Sequence, residues 1–87
     1  MKNEILRQAE HFSIINRKNK FIEELAELIR AVSRNDLDNV KEEIADVVIL
    51  LIQYMDKYHI NSSEIITRME YKLHRTSKQI EDGEIWC

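Results

Sequence analysis

Apolar residues recur at helical spacing along nearly the whole chain, and the breaks in that rhythm divide it into four stretches. The first predicted helix covers about Lys2 to Glu10 and ends near His11-Phe12-Ser13. The second covers about Ile15 to Arg34, with Phe21, Ile22, Leu25, Leu28, Ile29 and Val32 at helical intervals. Asn35-Asp36 interrupts it, and Asp36 is placed to cap the next helix. The third covers about Leu37 to Tyr58. Its run Val47-Val48-Ile49-Leu50-Leu51-Ile52 has the composition of a buried strand. No turn residue bounds that run, however, and the apolar pattern continues at helical spacing through Val40, Ile44 and Met55. The fourth starts at Asn61, where Glu64 stands three residues on as in a capping box, and stops before Gly83. Glu84-Ile85-Trp86-Cys87 reads as a tail.

Helix three is apolar on all sides over its middle, so its surface should be covered all round, as a central helix. A chain of 87 residues buries only about 60% of its unfolded surface, too little for four short helices to provide that cover alone. The expectation is a single all-α domain over residues 1–87, a four-helix bundle-like subunit completed by oligomerisation as a homodimer or homotetramer.

Composition narrows the partners. Apolar residues make up 44% and charged residues 33%, which is too apolar for a disordered chain. A net charge of −3 gives no basic excess to hold a phosphate backbone, so no nucleic-acid partner is expected. Met1-Lys2-Asn3-Glu4 lacks the apolar core of a signal peptide, and no apolar run approaches the roughly 18 residues of a membrane span. A cytoplasmic protein with no membrane partner is expected. Cys87 has no cysteine to pair with and no zinc-spaced neighbour, so a reduced thiol is expected.

The chemistry lies in a duplicated acidic signature. Phe21-Ile22-Glu23-Glu24-Leu25-Ala26-Glu27-Leu28-Ile29 recurs nineteen positions later as Val40-Lys41-Glu42-Glu43-Ile44-Ala45-Asp46-Val47-Val48. Each copy pairs carboxylates three apart, Glu24 with Glu27 and Glu43 with Asp46. At about 100° per residue, Glu24 flanks the stripe of Phe21, Leu25, Leu28 and Val32, Glu27 lies further round beside Ala31, and Glu43 and Asp46 take equivalent angles beside Leu50. Small residues, Ala26 and Ala45, would let the two acidic edges approach one site.

Carboxylates gathered out of water repel one another and need a counter-charge. Lys41 points away from the acidic edge, and Arg30 would reach Glu27 but not the rest. A hard divalent cation fits better, Mg²⁺ with Mn²⁺ as substitute, because such ions take carboxylates, waters and phosphates together. A di-iron carboxylate bundle would require Glu-x-x-His pairs, and His11, His59 and His74 stand at none of the needed spacings; surface or capping roles suit them. On helix four, Arg68, Lys72 and Arg75 share a narrow arc beside Ile65, Met69, Leu73 and Ile80. Beside a metal site, such cations suit the phosphates of a nucleotide. Lys20, one turn before Glu24, would contribute similarly, and Arg17 more weakly.

Glu23-Glu24-Leu25-Ala26-Glu27-Leu28 followed by Glu43-Ile44-Ala45-Asp46 resembles the ExxE and ExxD motif pair of the MazG-like nucleoside triphosphate pyrophosphohydrolases. The resemblance extends from about Arg17 to Trp86, through Lys72-Leu73-His74-Arg75 and Ile80-Glu81-Asp82-Gly83-Glu84. It implies an all-α fold, a Mg²⁺-dependent site, dimers or dimers of dimers, and cleavage between the α and β phosphates to give a monophosphate and pyrophosphate. Position by position, the implied metal ligands are Glu24, Glu27, Glu43 and Asp46, with Lys72 on phosphate. Arg17 replaces a Gln, and Arg75 an Asn, that many members carry. The expected mechanism is hydrolysis by a water activated beside a carboxylate, with Glu27, or else Glu23, as the base. A substrate of dUTP or phosphoribosyl-ATP type stays within the superfamily; a non-catalytic helical module binding metal or nucleotide is the alternative from another class.

Overall fold

The computed structural model describes the backbone of residues 1–11 and 14–83 and the side chains of residues 1–11 and 18–83. The thiol of Cys87, the tail and the helix end expected at Phe12-Ser13 lie outside these residues, as does the side chain of Arg17. Four helices succeed one another: α1 over Lys2–Ala9, α2 over Ile14–Ser33, α3 over Leu37–Lys57 and α4 over Ser62–Glu81. No strand occurs among the described residues, so the all-α expectation holds.

The helix ends are built from local capping chemistry. At the end of α2, Asn35 takes a left-handed conformation (φ 55°), its N–H donates to Val32 O and that of Asp36 donates to Ala31 O. This crossed pair is a Schellman closure, with Asn in place of the usual Gly. Asp36 then starts α3, accepting from the backbone N–H of Asn39 at 3.4 Å and from its side-chain amide at 2.9 Å. The device repeats at the end of α3. His59 is left-handed (φ 55°) and donates to Asp56 O, and Ile60 donates to Met55 O. Glu64 Oε2 accepts from Asn61 N–H at 3.2 Å, the capping-box contact expected at the start of α4. Gly83, at φ 79°, closes its end.

The short turn makes α2 and α3 an antiparallel hairpin, and α1 packs across α3. Gln53 of α3 is 3% exposed, and its Nε2 donates to the carbonyl of Ile5 in α1 at 3.0 Å. Ile5 and Ala9 bury the inner face of α1. Helix α4 makes no extended packing with the other three, and none of its residues is fully buried. The radius of gyration is 16.4 Å, against about 12 Å for a compact chain of this length. Helix α3 is central in that it packs on both α1 and α2, yet Val48, Ile49 and Leu51 stay exposed on it. No described helix is long and apolar enough to cross a membrane.

Burial corrects the expected face of α2. Leu25 and Val32 lie on the surface, at 39% and 56% exposure, whereas Glu24 and Ala31 are buried at 5% and 6%. The contact face is thus turned toward the acidic edge. Ala26 and Ala45, expected at the close approach, are both exposed; Ala31 is the small residue that fills the contact.

Candidate functional site

The acidic edges of α2 and α3 face each other across the hairpin because the two copies of the signature hold the same helical phase on antiparallel helices. Carboxylate oxygens of Glu24, Glu43 and Asp46 lie within 4.8 Å of one another, and so do those of Glu23, Glu24 and Glu27. Glu24 belongs to both groups and is the most buried acid, with Glu27 and Glu43 half-buried and Glu23 and Asp46 exposed.

Two atoms define the electrostatics. Glu24 Oε2 and Glu43 Oε2 are both shut off from solvent and have no hydrogen-bond partner. A partnerless carboxylate oxygen out of water is costly. The hydrogen bond available between Glu43 and Glu24 pushes the Glu43 carboxyl up to about 7, helped by its burial and by the negative charges of Glu27, Glu24 and Asp46. A shared proton is one answer to that repulsion; a divalent cation bound by the same oxygens is another, and the donor set of hard carboxylate oxygens fits Mg²⁺ or Mn²⁺.

Among the described residues, Lys20 is the counter-charge that reaches the acidic edge. Its Nζ stands 2.9 Å from Glu24 Oε1 and 3.9 Å from Glu23 Oε1. That hydrogen bond holds Glu24 below the usual carboxylate range and Lys20 above the usual lysine value. Lys20, expected on phosphate, therefore rests on the acidic edge itself. Lys72 and Arg75 are carried away on α4, where the Arg75 guanidinium lies over the Tyr71 ring at 5.9 Å. The single chain does not bring them to the carboxylates by helix packing. Arg17 lies in α2, before Lys20. His11, His59 and His74 are exposed, and His59 serves as the stop residue of α3.

The fold also creates a feature that the residue pattern does not announce. An open cleft of about 160 Å³ runs from the acidic edge toward the α2–α3 turn, lined by Glu27, Arg30 and Ala31 of α2, by Arg34 just past its end, and by Asp36, Asn39 and Glu43. Its signal is present only in the spacing: Arg34 comes two turns after Glu27, and Asn39 precedes Glu43 by one.

Fold and site together define an all-α protein whose antiparallel helix pair carries ExxE and ExxD carboxylates along a shared edge. Residues 12–80, well over half of the chain, match the MazG nucleotide pyrophosphohydrolase domain. The chain belongs to that family, whose description is nucleotide pyrophosphohydrolysis. No curated protein and no solved structure matches it. Helix α1 lies outside the matched residues.

Proposed function

We propose that this protein is a Mg²⁺-dependent nucleoside triphosphate pyrophosphohydrolase, with Mn²⁺ as an alternative ion, that cleaves between the α and β phosphates of an NTP or dNTP. The observation that carries the reading is the meeting of Glu24, Glu43 and Asp46 oxygens within 4.8 Å, two of the residues having a buried oxygen with no partner. Glu24, Glu43 and Asp46 would hold the ion, with Glu27 at its edge. The ion would neutralise phosphate charge and acidify a bound water.

Glu27, or else Glu23, would accept the proton of the attacking water. The water oxygen bonds to the α phosphorus while the bond from that phosphorus to the bridging oxygen breaks, and its electron pair leaves with pyrophosphate. Lys20 would exchange its carboxylate contact for a phosphate, and Arg17 would lie one turn further on. Lys72 and Arg75 would reach the phosphates from the α4 of a second copy, in a homodimer or homotetramer. Ile65, Ile66, Met69, Leu73 and Ile80 leave α4 with an exposed apolar face that such an assembly would cover.

The test is pyrophosphate release from a panel of ribo- and deoxynucleoside triphosphates with Mg²⁺. Glu43→Ala and Asp46→Ala should abolish release and keep the helical circular dichroism spectrum. Full activity in both variants contradicts the site. Absence of release by the parent protein from every nucleotide would favour a non-catalytic binding module.

A further inference from the structure

We infer that the cleft beside the turn is the seat of the pyrophosphate half of the substrate, held by Arg30 and Arg34. This rests on the proposed reaction, and it assigns to α2 a role beyond metal binding.

The cleft adjoins the carboxylate edge through Glu27 and Glu43. Arg30 in α2 and Arg34, the residue after its last, lie beyond Glu27 by about 5 and 10 Å along the helix direction, so their guanidiniums serve the space next to a phosphate held at that edge. Both are exposed cations, and among the described residues neither is within ion-pair distance of a carboxylate, although Glu27, Asp36 and Glu43 line the same cleft. Lys20, at the opposite end of the acidic edge, is by contrast engaged with Glu24. Two unengaged guanidiniums in a cleft suit an anion with several oxygens, because each planar fork can hold two of them.

Polarity along the hairpin selects pyrophosphate over the nucleoside. Phe21 and Tyr54, which meet edge to face at 5.7 Å, lie beyond the carboxylates on the side away from the turn. The cleft itself is lined by no aromatic ring that could stack on a base. Arg34 is also well anchored. It is the residue before left-handed Asn35, and the crossed hydrogen bonds of that closure fix its backbone against the start of α3. The bland alternative is that both arginines merely complement the negative end of the α2 dipole, which would affect stability and leave anion binding untouched.

Titration calorimetry of the full chain with inorganic pyrophosphate and Mg²⁺ separates these. Arg30→Ala and Arg34→Ala should each weaken binding about tenfold, the scale of one lost charged hydrogen-bonding group. Arg34→Lys should recover part of the loss, and Lys41→Ala, an exposed cation outside the cleft, should bind as the parent does. Unchanged affinity in both alanine variants overturns the assignment, as does failure of the parent chain to bind pyrophosphate. If the parent releases no pyrophosphate from any nucleotide yet binds it in an arginine-dependent way, the proposed reaction falls and the cleft stands. If nucleotides turn over with an unchanged KM in both variants, the reaction stands and the cleft falls.

Discussion

Gln53 ties α1 to the rest of the molecule: its side-chain amide donates to the Ile5 carbonyl at 3.0 Å, joining residues 48 apart in sequence. The contact is buried, and it crosses the boundary between α1 and the part of the chain that carries the family match. Gln53→Ala should cost about 1 kcal/mol, the net worth of a typical internal hydrogen bond, and lower Tm by about 4–8 °C. Hydrogen exchange should accelerate in α1 far more than in the α2–α3 hairpin. Uniform acceleration across all helices would mean that α1 is not a separable unit.

Lys20 would compete with a cation in the proposed site for Glu24. Its side chain is 54% exposed, so solvent discounts the pair to the scale of a surface ion pair. Lys20→Ala should therefore tighten Mg²⁺ binding by a factor of up to about five. The same variant should raise KM for a nucleotide if Lys20 moves onto phosphate during binding. Calorimetry with Mg²⁺ alone separates the two effects, and weaker Mg²⁺ binding would show that Lys20 supports the site instead of opposing the ion.

In the proposed site, protons would compete with metal at Glu43. Between its ordinary value of 4.5 and about 7, the folded chain keeps a proton on this residue that the unfolded chain releases. The stability this contributes is complete below pH 4.5 and is lost as pH rises through about 7. Glu24 acts in the other direction: its contribution is present above 4.5 and fades as pH falls through its lowered value. Metal-free protein should therefore lose Tm between about pH 5 and about pH 8, and Mg²⁺ should raise Tm more at the upper end. Glu43→Gln should flatten the decline. An equal decline in that variant places the titrating group elsewhere.

Covering α4 is the expected task of a second copy. Met69 is 53% exposed at the centre of its apolar face. Met69→Glu should shift sedimentation at micromolar concentration from dimer or tetramer toward monomer while the helix content of the hairpin persists. A parent chain that sediments as a monomer at all concentrations would remove the trans role of Lys72 and Arg75.

Helix ends are local chemistry, and for that reason most of the fold was legible in the sequence. Asp36, the Asn61–Glu64 pair and Gly83 each mark a boundary within a residue or so of where the helices begin or end. The acidic constellation was legible because two copies at one phase make equivalent edges on antiparallel helices. Rotation of the α2 face was not. Leu25 and Val32 form the more apolar stripe, but the hairpin contact turns toward Glu24 and Ala31, and only tertiary packing decides between adjacent stripes. Gln53 was hidden for a similar reason: a single polar residue after Val47 to Ile52 reads as surface until its partner 48 residues away is known. The engagement of Lys20 is implicit in its spacing from Glu24, whereas the detachment of α4 is not implicit in any pattern, since its apolar face matches that of a packed helix.

His59 gives the corner between α3 and α4 a fixed shape. A left-handed histidine, locked by the bonds from His59 to Asp56 and from Ile60 to Met55, takes the place a glycine would hold in a looser joint. The way the chain leaves α3 is thus fixed before any second copy arrives, which restricts the path toward α4. A joint restricted in this way surrenders less chain freedom on docking than a swinging tether would, so more of the apolar face of α4 can be converted into affinity.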